Sequence, residues 1–471
     1  MQQLQQTGFS PIELERPALS NKIWATKIKR LRLPDLLCVQ TGLRIEVRAK
    51  SDLKIRMSDA PNTDERRWDS GMRDEDLVAL IPLVSDREFP EPRGDATFFT
   101  VRGLRSTIAN SRLGPPKSQS EGSERDREWP ATVPKMDGVV LAVDDQKIAT
   151  EQKKADGSIR RQTYQLNGKQ SYVRVGDKFI GGVSIIAGMA EPPLSIDTLR
   201  TQQYNPLKDL LSENIIDRYA AAKALRHRPD LGQKAVPALV NTLEKAHAKK
   251  EDKRVALEAA GSLAAFESKE GQRWLRSFLS HEKDLPLKME AIFVLAELGN
   301  DFARSELIGV ANSDEARGTE LRQAAVWGLG KSGLKQYAEL VRFIDDEDEE
   351  VALHAIAAFG TDVPQEVVHE LVQRLAHGNT RRAAAASEVL KLIGTDEVIT
   401  VLMEVFSSSD GHLDWVLATL GRMPPERVRD ALKDDPVIQK LAPMLLVANG
   451  ANWLASDKCY RDLVSLLSQR L

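Results

Sequence analysis

Cysteine is scarce in this chain, and its absence excludes several classes of protein. The 471 residues contain two cysteines, Cys38 and Cys459. Two cysteines cannot build a disulfide framework or an all-cysteine zinc site. No run approaches the roughly eighteen apolar residues of a membrane-spanning helix, and the first residues lack the basic and apolar regions of a secretory signal. We therefore expect a reduced, cytoplasmic protein with no membrane contact and no structural zinc.

Net charge and aromatic content are also low. Lys and Arg number 66 and Asp and Glu number 69, so the formal charge is −3, and aromatic residues make up 5%. A charge near zero excludes a uniformly basic nucleic-acid coat, although local charge still matters. Apolar residues at 42% and charged residues at 29% are typical of globular domains. At about 100–200 residues per domain, the length predicts three or four domains.

The C-terminal half contains a repeat, an Ala and a Leu or Phe four positions apart. Successive large residues of the pair are separated by 38, 32, 34, 30, 31 and 30 positions. The pair occurs at Ala221/Leu225, Ala259/Leu263, Ala291/Leu295, Ala325/Leu329, Ala355/Phe359, Ala386/Leu390 and, with valine, Val416/Leu420. Two such residues lie on one helix face, where the alanine permits close approach of a neighbouring helix. A helical pair cannot bury its apolar face alone, so the pattern predicts a stacked array.

This register resembles the HEAT-repeat family in a short form, over about 215–420, and 421–471 is expected to add one capping helical pair. The resemblance implies an α-solenoid that binds a protein partner or, in some members, nucleic acid. The acidic run 345–350 lies between two helices. It is interpreted as a turn whose charges favour the N-terminus of the next helix, with docking of a basic partner as the alternative.

The middle of the chain changes from a polar stretch to a period of two. Residues 114–128 are rich in Pro, Gly and Ser, which predicts a linker or mobile loop. Strands are predicted at 138–143, 162–166 and 171–175, with turns at 155–157 and 167–168. The glycine-containing pattern over 134–191 resembles the barrel-sandwich hybrid fold, which implies a small β module acting as a spacer or docking domain.

The N-terminal segment is locally basic. Residues 1–60 contain eleven Lys or Arg and six Asp or Glu. The positive residues are Arg16, Lys22, Lys27, Lys29, Arg30, Arg32, Arg44, Arg48, Lys50, Lys54 and Arg56. Such an excess favours a polyanion partner, and the alternative is a basic surface balanced by acidic segments elsewhere.

Two strands, 33–40 and 43–50, are predicted to form a hairpin around Thr41 and Gly42. A two-residue loop would place Asp35 opposite Arg48, with Glu46 as its diagonal neighbour on the same face. Two carboxylates this close can share a divalent cation, and a neighbouring cation can stabilise a phosphorane-like transition state. Downstream, acidic residues before an apolar run predict a helix over 68–81, and 97–101 predicts another strand.

The arrangement Pro34-Asp35, then Glu46-Val47-Arg48, resembles the PD-(D/E)xK nuclease superfamily. The resemblance implies that Asp35 and Glu46 bind Mg²⁺. The family has Lys where this chain has Arg48, and Arg retains its proton, so Arg48 can stabilise charge but cannot act as a general base. Lys50, on the same face, is the substitute candidate. An inactive nuclease-like fold that binds DNA and a degraded zinc knuckle at Cys38 are the competing interpretations.

The sequence thus predicts a multidomain α+β protein with an α+β nuclease-like domain at 1–113, a linker at 114–128, a small β module at 129–195 and a HEAT-repeat α-solenoid at 205–471. Two functions remain open. One is a metal-dependent endonuclease aimed by the helical array, with Asp35, Glu46, Arg48 and Lys50 as its site residues, in DNA processing or defence. The other is a non-catalytic scaffold that binds a protein partner or nucleic acid. The oligomeric state is left open.

Overall fold

The computed structural model describes residues 1–16, 24–26, 28, 31–84, 91–119, 123–154, 156–200, 203–248, 252–331, 333–408 and 413–431. The chain divides into two compact units, Met1–Phe266 and Glu267–Leu471. The first unit is rich in sheet and ends in helices, and the second is helical in its described part. The part of the predicted capping pair that follows 431 lies outside the described residues, as do Cys459, Lys22, Lys27, Lys29 and Arg30.

The N-terminal part of the first unit contains two sheets and two short helices. The elements are α1 (Gln2–Gln6), β1 (Pro11–Glu13), β2 (Leu36–Cys38), β3 (Arg44–Lys50), β4 (Ile55–Asp59), β5 (Leu77–Val84), β6 (Glu91–Pro92), β7 (Thr97–Thr100), α2 (Val101–Ser106), β8 (Arg112–Pro116) and β9 (Arg125–Trp129). One sheet runs β1-β2-β3-β5, with β6 and β7 both paired to β5, and the other runs β4-β9-β8. The β3–β5 pair is parallel, whereas β1–β2 and β2–β3 are antiparallel.

Both faces of the first sheet are covered, which explains the continuous apolar sequence of β5. One face packs Leu36, Cys38, Ile45, Leu77 and Phe98 into a core. The other packs Val78, Leu80 and Phe99 against Ile55 of β4 and Trp129 of β9. The predicted helix over 68–81 is wrong, because a short apolar run buried on both faces has no period that separates strand from helix.

The stretch 114–128, for which we expected a linker, contributes to two paired strands. In β9, Trp129 pairs with Ile55 of β4, and Arg127 pairs with Leu113 of β8. Trp129 is fully buried and meets Trp68 edge to face, with ring centroids 5.3 Å apart. The apolar partners that stabilise this polar hairpin come from other parts of the chain, so its own composition does not reveal it.

The small β module follows directly. Its strands are β10 (Ala131–Thr132), β11 (Gly138–Val143), β12 (Lys147–Lys153), β13 (Ile159–Gln165), β14 (Gln170–Ser171), β15 (Lys178–Phe179) and β16 (Ala187–Gly188). They form the sheets β13-β12-β11-β15 and β10-β16-β14 around a core that contains Val140, Ile148 and Phe179. The turn predicted at 167–168 is confirmed by positive φ at Asn167 and Gly168. The barrel-sandwich resemblance stays a prediction.

Helices complete the first unit and form the described part of the second. The first unit ends with α3 (Pro206–Asp209), α4 (Ile215–Leu225), α5 (Gly232–His247) and α6 (Lys253–Ala265). The second contains α7 (Lys269–His281), α8 (Leu285–Leu298), α9 (Asp301–Ala311), α10 (Glu320–Leu329), α11 (Tyr337–Leu340), α12 (Glu349–Ala357), α13 (Gln365–His377), α14 (Thr380–Ile393), α15 (Asp396–Ser408), α16 (Leu413–Gly421) and α17 (Pro425–Ala431). Among the described residues, no helix is long and apolar enough to cross a membrane.

The repeat register is the buried layer of this stacked array of helices. In the second unit, α8, α10, α12, α14 and α16 each contact the next of the series, and partner helices such as α9 and α13 pack beside them. Ala291 and Leu295 on α8, and Ala386 and Leu390 on α14, are fully buried. The predicted close packing through alanine is therefore confirmed.

The acidic run 345–350 serves the solenoid itself. Asp348 caps α12 by accepting from the Glu350 and Val351 amides. Asp346 accepts two bonds of 2.6 and 2.7 Å from Arg322, and Asp345 pairs with Arg374 and Arg382. The interpretation as a helix-initiating turn is confirmed.

Candidate carboxylate site on the N-terminal sheet

The β2–β3 hairpin has a longer turn than the sequence suggested. Leu36 pairs with Ile45 and Leu37 with Arg44, and the Cys38 amide donates to the Leu43 carbonyl at 2.9 Å. The turn therefore spans 39–42, and the predicted pairing of residue 40 with residue 43 is wrong by two positions. Gly42 has φ +73°, and a Cβ there would lie 2.6 Å from the Tyr204 ring. Contact with a distant part of the chain thus selects this turn.

The observed pairing of β2 with β3 differs from the predicted one by two residues, so every side chain stays on its predicted face. The observed pairing begins with Leu36 opposite Ile45, so Asp35 and Glu46 each lie one residue beyond the paired segment, on neighbouring strands. The Asp35 carboxylate accepts a hydrogen bond of 2.7 Å from the Val47 amide, and its carbonyl accepts from the Leu14 amide at 2.8 Å. Asp35 is thereby held beside β3, and the predicted opposition of Asp35 and Arg48 is replaced.

Glu46 is the most perturbed acid of the hairpin. Its side chain is 14% exposed and forms an ion pair with Arg48. Burial raises the pKa of Glu46 to about 7; Arg48 and Arg32 oppose the rise, and the negative charges of Asp35 and Glu15 add to it. Near neutral pH this carboxyl is partly protonated.

Arg48 and Lys50 continue the same face toward the end of β3. The Arg48 guanidinium is one-third exposed and contacts Glu46. Burial lowers the pKa of Lys50, and the positive charges of Arg56 and Arg48 lower it further. Of the four residues predicted for the site, Asp35, Glu46 and Arg48 are adjacent, and Lys50 lies one strand repeat beyond them.

Asp35 and Glu46 offer a small set of oxygen donors for a divalent cation. Mg²⁺ is usually held by one or two carboxylates, several waters and substrate phosphates. Asp35 Oδ1 and Glu46 Oε2 have no hydrogen-bond partner in the described part of the chain. The described residues contain no group of three or more His, Cys, Asp or Glu placed to hold a metal. Two carboxylate oxygens without partners suit Mg²⁺, which keeps several of its waters. They are too few to surround a metal ion with protein ligands alone.

A buried arginine cluster, absent from the sequence expectations, lies on the same face. Arg44 is fully buried and binds both carboxylate oxygens of Asp76 at 2.6–3.0 Å and Asp217 of α4 at 3.0 Å. Arg73 joins Asp217 at 3.0 Å and Asp209 of α3 at 3.1 Å. The sequence indicates burial of Arg44 by placing it next to the apolar residues Leu43 and Ile45. Its acidic partners lie up to 173 positions away, so no local pattern predicts them.

Arg16 is a second buried cation with partners in the helices. It donates to the Tyr219 hydroxyl at 3.0 Å and pairs with Glu258, which also receives Arg226. Arg16 and Arg44 are therefore unavailable to a polyanion, and the basic excess of 1–60 is smaller at the surface than in the sequence. Cys38 is also buried, which raises its thiol pKa to about 12 and excludes a thiolate ligand there.

Comparisons with known proteins find similar solved structures and no matching family. No family model and no curated protein matches the chain. Among solved structures, YibA of Escherichia coli is similar over 58% of this chain and 93% of its own, with 16% identity and a TM-score of 0.28. The CpcE–CpcF complex of phycocyanin lyase from Nostoc sp. PCC7120 is similar over 53% of this chain and 96% of its own, with 18% identity and a TM-score of 0.25. The described elements themselves give the architecture, α+β followed by stacked helices.

Proposed function

We propose that the N-terminal sheet domain is a magnesium-dependent nuclease module and that the HEAT-like array positions it on its target. The observation that supports this proposal best is the position of Asp35, whose carboxylate accepts from the Val47 amide, the residue after Glu46, just before the paired segment of β2 and β3. Each carboxylate keeps one oxygen without a hydrogen-bond partner among the described residues. Cations follow along the same strand, as cleavage of a polyanion requires.

In this proposal each side chain has a separate role. Asp35, fixed by the Val47 amide, and Glu46 would hold Mg²⁺, which supplies an activated water and neutralises charge on the phosphodiester. Arg48 keeps its proton and stabilises the negative charge that develops on the phosphate oxygens. Lys50 lies at the strand end, where it binds the next phosphate and orients the chain.

The proposal is tested with the full-length protein on linear, circular and single-stranded DNA and on RNA, with Mg²⁺, Mn²⁺ or EDTA. We expect cleavage that requires metal and falls to background in Asp35→Asn and in Glu46→Gln. Asp52→Asn is the matched control, since this carboxylate is 69% exposed and pairs with Lys54. No cleavage, or cleavage retained in both site variants, would reject the nuclease function.

A non-catalytic scaffold is the second candidate, and the buried arginines support it. Arg16 and Arg44 fix the N-terminal sheet to α4 and α6 through Asp217, Tyr219 and Glu258. Buried ion pairs specify geometry more than they stabilise, and fixed geometry is what an adaptor for a protein partner needs. Cellular function that survives Asp35→Asn and Glu46→Gln unchanged would assign the protein to this class.

A further inference from the structure

A group of cations begins at the carboxylates and extends past Lys50 onto two strands that the proposed nuclease chemistry does not use. It comprises Arg48 and Lys50 of β3, Arg56 of β4 and Lys117 just after β8, and is called the basic strip below. Lys117 Nζ lies 2.9 Å from one oxygen of Asp126, and Arg56 lies 3.6 Å from the other. One carboxylate thus joins two cations that come from different strands.

The basic strip has more positive than negative charge. Asp126 is shared, and Arg48 is already paired with Glu46. Lys50 has no ion pair within the described part of the chain. Burial lowers its pKa, Arg56, Arg48 and Lys117 lower it further, and Asp126 opposes them. Cations that repel one another in the free protein form a site of positive potential that an anion relieves.

The basic strip is also accessible and elongated. The side chains of Arg48, Arg56 and Lys117 are 35%, 30% and 47% exposed. Residues two apart on a strand are separated by about 6.6 Å, so Arg48 and Lys50 mark successive points along one line. A single phosphoryl group would need donors that converge on one point, whereas a row of cations matches a row of phosphates.

We infer that the basic strip binds consecutive backbone phosphates of a nucleic acid and leads the strand across Asp35 and Glu46. This inference names the substrate-holding surface of the proposed function and rests on it for the identity of the substrate. Binding can nevertheless be measured in EDTA, where cleavage does not occur, so the two ideas fail separately.

The test measures fluorescence anisotropy of short labelled duplex DNA, single-stranded DNA and RNA with full-length protein in EDTA, over a salt series. For the double variant Lys50→Gln/Arg56→Gln we expect about tenfold weaker binding at low salt and a slope of log K against log salt that is smaller by about 2 on duplex DNA. Lys147→Gln/Arg161→Gln is the control, because it removes two exposed cations of β12 and β13 in the same unit.

The binding results separate failure of the basic strip from failure of the nuclease function. Three results would overturn the proposal that the basic strip binds nucleic acid. They are unchanged binding in Lys50→Gln/Arg56→Gln, an equal loss of binding in the control, and no binding by the wild type. Binding of a phosphoserine peptide but of none of the polynucleotides would overturn its assignment to nucleic acid. Binding that depends on the strip without cleavage in Mg²⁺ would retain the strip and reject the nuclease. If the double variant does not fold, the exposed Lys117→Gln should reduce the slope by about 1.

Discussion

Arg44 and Arg48 are four residues apart on one face of β3, yet Arg44 is fully buried and the Arg48 side chain is one-third exposed. Alternation in the sequence predicts the shared face correctly, because side chains repeat every two residues along a strand. It cannot predict that Asp76 and Asp217 cover one end of that face. A guanidinium is buried only where acids replace its solvation. Whether each arginine is buried or exposed therefore depends on residues distant in sequence.

Cys38 offers a test of burial at the scale of one residue. Its side chain has no exposed surface, and burial raises the thiol pKa to about 12. At pH 8 the reactive thiolate fraction is then about 10⁻⁴, and reagents have no path to it. In a Cys459→Ser background we expect Cys38 to react with a thiol-specific disulfide reagent only after unfolding in urea. Rapid labelling of the native protein would show that the hairpin core opens.

Elements that follow from local sequence patterns could be predicted, whereas elements that depend on contacts with distant residues could not. The strand at 43–50 agrees with β3, and the Ala–Leu register agrees with the buried helix layer. Gly42 of the turn at 39–42 packs against the Tyr204 ring, and the apolar end of the helix expected over 68–81 is strand β5, with which β3 and β7 pair. The carboxylate face was therefore predictable, whereas its register required the fold.

Helix caps carry a measurable share of the solenoid's stability. Asn300 caps α9 by accepting from the Ala303 amide at 2.9 Å. Asn300→Ala leaves that amide without its partner, so the free energy of unfolding should fall by about 1 kcal/mol. Ser268, at the start of α7, makes no side-chain cap bond, and Ser268→Ala should change stability by much less. Urea unfolding followed by circular dichroism measures both, and equal losses would contradict the role of the cap.

At the scale of the whole molecule, buried ion pairs cross a boundary that the sequence suggested. We expected a β module ending at 195 and a solenoid beginning at 205. Asp217 and Glu258 lie beyond that point, and they pair with Arg44 and Arg16 from the first fifty residues. All four belong to the unit Met1–Phe266. Composition changes along the chain mark changes of secondary structure here, and they do not mark where contacts end.

This connection predicts shared cooperativity, which hydrogen exchange can measure. Arg44→Ala leaves Asp76 buried without the guanidinium that binds both of its oxygens, and Asp217 keeps only Arg73 among the described cations, so the change should cost about 3–5 kcal/mol. The opening free energy of amides in β3 and in α4 should fall together by that amount, because both elements contact Arg44 or its partners. The β12–β13 hairpin serves as an internal reference, since the hydrogen-bond partners of Arg44 among the described residues, Asp76, Asp217 and Gly71, lie outside it. Arg48→Ala removes a partly exposed pair and should cost about 0–1 kcal/mol. Loss of protection in β3 while α4 keeps its own would restore the sequence-based boundary and separate the sheet from the helices as independent folding units.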